Sequence, residues 1–112
     1  MTLPDADTLA AALVGRPLHT YLWREARIMQ VEDGVVVIAG DRRVERARVP
    51  LADIQAGLDQ LGVEGEVPLT IDALGPSAKY VAAILVEVEG VAFGDAPARV
   101  MLVGRPVVGG AG

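Results

Sequence analysis

The chain has 112 residues, 52% of them hydrophobic but only 4% aromatic, with a formal net charge of −5 and no cysteine. That size and hydrophobicity predict one folded domain with a core of Val, Ala, Leu and Ile, and exclude disorder; the missing thiols exclude disulfides and thiolate metal sites. No apolar run approaches the ~20 residues of a membrane-spanning helix, Met1 to Asp7 lacks the pattern of a signal peptide, and the absence of cysteine fits a reducing cytoplasm.

Asp5-Ala6-Asp7-Thr8 ahead of Leu9 to Val14 reads as a helix start with acids in its first turn. Leu9, Ala12 and Leu13 would form its buried face, and Gly15 its stop. Leu18 to Trp23 has strand composition, with Leu18, Thr20 and Leu22 on one face and His19, Tyr21 and Trp23 on the other. Trp23 is expected in the core. Ile28 to Glu32 and Val35 to Ala39 flank Asp33-Gly34, the pair favoured in a type I′ hairpin. The second of these strands is apolar on both faces and should be central in its sheet. Gly40-Asp41 turns into a basic run, Arg42-Arg43-Val44-Glu45-Arg46-Ala47-Arg48, read as a further antiparallel strand up to Val49.

Pro50 is placed at the first position of a helix over Leu51 to Leu61, with Leu51, Ile54, Leu58 and Leu61 as its apolar stripe. Gly62 is the expected exit, and Gly57 a point of close packing on the sheet. Asp53, Gln55, Asp59 and Gln60 make the outer face acidic, unlike a helix built for the major groove. Val67 to Ile71 reads as a short strand, an edge one because of Pro68. Ser77 should cap a helix from Ala78 to about Glu87 that buries Tyr80, Val81, Ile84, Leu85 and Val88. Ala98 to Val103 is a last strand. The expected fold is α+β: a small antiparallel sheet or partly open barrel of about four to six strands with two or three packed helices. Residues 1–108 would form the domain and 109–112 a flexible Gly-rich tail.

Charge is unevenly placed. From Arg16 to Arg48 there are 7 Arg and 5 acids, whereas from Val49 onward 3 bases face 8 acids. Of the ten bases only Lys79 is a lysine. Arg suits bidentate recognition of phosphate and guanine, although a GC-rich genome also enriches it. Catalysis has little support: one His, no Cys, no nucleophile elbow, no P-loop and no clustered metal ligands. The chain is therefore read as a non-enzyme without a cofactor. Three groups are candidates for binding. Arg24, Arg27, Arg42, Arg43, Arg46 and Arg48 would meet phosphates from the strands, or simply solvate an edge strand. Ser77 and Lys79, at a helix N-terminus, would suit one phosphate. Tyr21 and Trp23 would line a pocket for a base or stack on one.

The order of segments adds a resemblance. Gly15-Arg16-Pro17-Leu18-His19-Thr20 leads into the hairpin with Ile28 and Val31, and Val49-Pro50-Leu51 opens a helix with Ile54 and Leu58. Gly65-Glu66-Val67 is then followed by Leu74-Gly75-Pro76-Ser77-Ala78-Lys79-Tyr80-Val81-Ala82-Ala83-Ile84-Leu85. Across roughly Leu13 to Val88 this resembles an N-terminal recognition domain of actinobacterial modification-dependent (type IV, McrA-like) restriction endonucleases. The resemblance implies double-stranded DNA as partner, with methylcytosine sensed by this domain and cleavage left to a separate HNH nuclease domain whose motif is not in this sequence. The alternative expectation is an interaction or dimerisation domain, a homodimer included, that binds no nucleic acid.

Overall fold

The computed structural model describes residues 3–40 and 46–103. Four strands form the first sheet: β1 (Pro17–His19), β2 (Glu25–Glu32), β3 (Val35–Gly40) and β4 (Arg46–Pro50), antiparallel and in that spatial order. Asp33 (φ 51°) and Gly34 (φ 75°) both adopt the left-handed backbone that a type I′ turn requires, so the β2–β3 hairpin forms where Asp-Gly predicts it. β3 lies between β2 and β4, the central position expected of it. Leu18, Ala26, Ile28, Val36, Ile38 and Val49 join the core from one face of this sheet. A bulge at Met29 interrupts the β2–β3 register between Ile28 and Gln30.

The first helix, α1 (Ala6–Leu13), is capped by Asp5, whose carboxylate accepts the Thr8 amide at 2.9 Å. Its buried residues are Ala6, Leu9, Ala10 and Leu13, an i, i+3, i+4, i+7 stripe. Ala10 thus takes the place expected of Ala12, which is exposed. α2 (Leu51–Glu64) starts after Pro50, which closes β4 and serves as the N-cap rather than as the first helical residue. Ile54, Gly57, Leu58 and Leu61 are buried along it. The helix does not leave at Gly62. It runs on to Gly65, which turns left-handed (φ 81°) and donates its amide to the Leu61 carbonyl at 2.9 Å. Either glycine is able to adopt that conformation, and chain direction after the helix selects the second, because β5 begins at Glu66. Gly57 packs against helices and not against a sheet: a Cβ there would lie 2.9 Å from Leu85 Cδ1 and 3.1 Å from Leu74 Cδ2.

A second sheet, in order β5-β7-β6, is built from β5 (Glu66–Pro68), β6 (Val91–Gly94) and β7 (Arg99–Leu102), all antiparallel. Pro68 is on an edge strand as expected, but the strand ends there. Thr70 accepts the Ala73 amide at 3.2 Å and starts the single turn α3 (Ile71–Leu74), which draws Ile71 out of the predicted strand. α4 (Ala78–Leu85) ends two residues before Glu87, and six of its eight residues are buried. Apart from Lys79 and Tyr80 in its first turn it is buried, because α1, α2, α3, β1 and β7 all pack on it. β6 was not among the expected elements; its four residues carry no long alternation, and pairing with β7 defines it. The α+β class therefore holds, with two sheets, seven strands and four helices among the described residues. One core cluster joins them, and no described helix is long and apolar enough to cross a membrane. The expected tail, 109–112, lies outside the described residues.

Candidate nucleic-acid interface

The helices cover only the core-facing side of the first sheet, as the burial alternation along β2 and β4 shows. Its other side carries the strand-borne arginines. Register places Arg27 and Arg46 on either side of Ala39 in one cross-strand row. Arg48 and Gln30 flank Val37 in the next row. Val37, between them on this face, is only 5% exposed and stands outside the core cluster.

These arginines are not equivalent. Arg27 donates to the Gly15 carbonyl and forms a 3.5 Å ion pair with Glu25, so part of its binding capacity is already engaged. Arg24, Arg46 and Arg48 are exposed and form no ion pair among the described residues. Arg42 and Arg43 lie outside the described residues. Beside Arg27 the sheet surface sinks into an open concavity of about 320 Å³, lined by Glu25, Ala26, Arg27, Met29, Ala39 and Gly40. Small residues at Ala39 and Gly40 leave the floor low, the bulge turns Met29 towards it, and Glu25 supplies a hydrogen-bond acceptor. Sequence reasoning missed Glu25 and Met29, since a bulge leaves no signature in the apolar pattern of β2.

The aromatic pair is separated. The expected strand breaks after His19 into a tight loop: Trp23 donates its amide to the Thr20 carbonyl at 2.8 Å, and Thr20 donates to the Arg24 carbonyl at 2.9 Å. Thr20 Oγ1, buried, also accepts the Arg24 amide at 3.1 Å. This closure puts Trp23 in the left-handed region (φ 62°) at the tip of the β1–β2 hairpin. Trp23 is 78% exposed and Leu22 75%, so Trp23 does not take the place in the core expected of it. The His19 ring lies 5.5 Å from that of Trp23, tilted by 55°.

Tyr21 turns the other way. It packs edge-on against Phe93 of β6 and donates its hydroxyl to the Asp95 carboxylate, which clasps the hairpin to the second sheet. That hydrogen bond, with lesser help from burial and from the charge on Asp95, raises the phenol above its ordinary value of 10.0. Arg99 organises the same corner by donating to the carbonyls of Asp95 (2.7 Å) and Pro97 (3.0 Å), while its Nε lies 3.1 Å from Glu66 without hydrogen-bond alignment. The dense turn signal Gly94-Asp95-Ala96-Pro97 was the available clue to this corner.

Ser77 is the N-cap residue of α4 and Lys79 lies in its first turn, in the helical layer and not on the arginine-bearing strands. The Ser77 side chain makes no capping bond, and the exposed Lys79 ammonium sits 5.1 Å from the Tyr80 ring centroid. A carboxylate adjoins this end of the helix: a Cβ on Gly75 would lie 2.5 Å from Asp53 Oδ2. Like charge there disfavours a phosphate. The acidic face of α2 is partly used internally as well, since Gln55 accepts the Ala6 amide at 2.8 Å and donates to Asp59 at 2.9 Å. Among the described residues no three His, Asp or Glu side chains gather as a metal site. Comparison with protein-family models, curated proteins and solved structures returned no match to this chain.

Proposed function

We propose that this chain is a non-catalytic double-stranded DNA-binding module of a restriction system, acting in the cytoplasm and sensing a modified base such as methylcytosine. The observation that supports it most is the face of the first sheet that the described helices leave open, where Arg46 and Arg48 are exposed without ion-pair partners among the described residues. Arg24 at the hairpin tip extends that set, while Arg27 fixes the local surface and Ser77 and Lys79 have no part in it. The family resemblance supports the restriction setting. The concavity beside Arg27 offers an apolar wall, Met29, for a methyl group and a carboxylate, Glu25, for the amino group of a cytosine. Acids concentrated elsewhere on the molecule keep the net charge negative and bias the orientation in which a polyanion can approach.

Anisotropy titrations of methylated and plain duplexes at two salt concentrations test this reading. Binding should weaken with salt, and Arg46→Ala with Arg48→Ala should flatten the log K against log salt slope by roughly 2, about 1 for each phosphate contact removed. Absence of salt-sensitive binding refutes DNA recognition; equal affinity for both duplexes refutes only methylation sensing. A second reading, a protein-interaction or dimerisation domain, is favoured by the exposed Leu22 and Trp23. Concentration-dependent sedimentation without DNA affinity would decide for it.

A further inference from the structure

The hairpin tip has properties that the arginine face does not explain. A bulky residue rarely adopts a left-handed backbone, because its Cβ crowds the following carbonyl, yet Trp23 does so at φ 62°. The conformation removes the largest side chain of the protein from the core and presents it beside Leu22, with both residues at least three-quarters exposed. The His19 ring neighbours the indole on one side and leaves most of its surface open. Arg24 follows directly, also exposed, and Arg27 continues the basic side chains along β2. An aromatic ring held by a neighbour, open to solvent and next to cations, is the arrangement that stacks on a nucleobase while the adjacent charge meets the backbone. Arg24 adds charge complementarity to a polyanion, which favours a nucleic-acid occupant over a purely apolar one.

We infer that the Leu22–Trp23 tip is a base-stacking element of the module, separate from the concavity beside Arg27, with the Trp23 indole stacking on an unpaired or unstacked base and Arg24 on the neighbouring phosphate. The inference rests on the DNA-binding reading, and it assigns the ring contact to Trp23 without Tyr21, which is engaged with Asp95 and Phe93. It also sets a preference in the DNA itself. A base already out of the stack should be bound better than the same base in an intact duplex, because the cost of unstacking is removed.

Trp23 is the sole tryptophan, so its emission reports on its own surroundings. The full chain is titrated with two labelled duplexes, one fully paired and one with a single unpaired adenine, reading anisotropy and tryptophan emission together. The unpaired duplex should bind more tightly and quench the emission. Trp23→Ala should lose roughly 5- to 100-fold in affinity for it while keeping its affinity for the paired duplex, and Trp23→Tyr should recover part of the loss. Circular dichroism and melting curves establish that the variants fold. Salt-sensitive binding with equal affinities, unchanged emission and no effect of Trp23→Ala overturns the inference and leaves DNA binding standing. No binding to either duplex overturns both. Emission that changes with protein concentration alone overturns the inference in favour of a second copy docking on the tip.

Discussion

Gly62 and Gly57 lie in the same helix, five residues apart, and Ala substitution should move stability in opposite directions. Gly62 is exposed within helical backbone, and a Cβ there would have only Leu3 Cδ1 near it, at an ordinary 3.8 Å. Ala gains about 0.8–1.0 kcal/mol over Gly in a helix interior, and somewhat less in a last turn. Gly62→Ala should therefore stabilise by about 0.5–1 kcal/mol, which is roughly 2–4 °C in Tm for a domain of this size. Gly57→Ala has the same propensity gain but forces the Cβ to 2.9 Å from Leu85 Cδ1 and 3.1 Å from Leu74 Cδ2. Both leucines are essentially fully buried and cannot swing away freely. Overpacking costs about 1–3 kcal/mol and outweighs the gain, so a net loss on the order of 1 kcal/mol is expected. Urea unfolding of the two variants and the parent gives the comparison directly, with unchanged m-values required. Gly62→Ala is also decisive about the end of the helix. If Gly62 were the left-handed exit that its position in the sequence implies, Ala there would destabilise by about 1 kcal/mol, and that result would refute the path through Gly65.

Three further outcomes follow from local chemistry. Trp23→Gly should be more stable than Trp23→Ala by about 1 kcal/mol, since only Gly relieves a left-handed backbone; equal midpoints would refute that conformation. A spectrophotometric titration should show Tyr21 ionising above the ordinary value, and Tyr21→Phe or Asp95→Asn should abolish that transition. The native state holds that proton more tightly than the unfolded chain, so the clasp contributes below pH 10 and is lost as pH rises through the raised value. Asp5 has the opposite sign: its hydrogen bonds with Thr8, side chain first, hold its carboxyl below 3.8, so the cap contributes above that pH and is lost as pH falls through the lowered value. Asp5→Ala should therefore lower the melting temperature at neutral pH, and the difference should vanish in strong acid.

Local rules determined a large part of this chain. Asp33-Gly34 dictates its hairpin because few other pairs tolerate two left-handed residues, and the apolar run of β3 is central in its sheet as its composition predicts. The stripes of α1, α2 and α4, the Asp5 cap and the edge position of Pro68 are likewise local consequences of periodicity, hydrogen-bonding capacity and a missing amide. Tertiary structure decided what depends on a partner distant in sequence. β6 is a strand only because β7 pairs with it, and α2 ends at Gly65 rather than Gly62 because β5 must start there. The candidate site belongs mostly to this second kind. Alternation places Tyr21 and Trp23 on one face, but Asp95, 74 residues away, draws Tyr21 to the second sheet, and closure of the loop on Thr20 turns Trp23 into solvent. Alternation describes a strand only while it remains in register, and between β1 and β2 the chain leaves it.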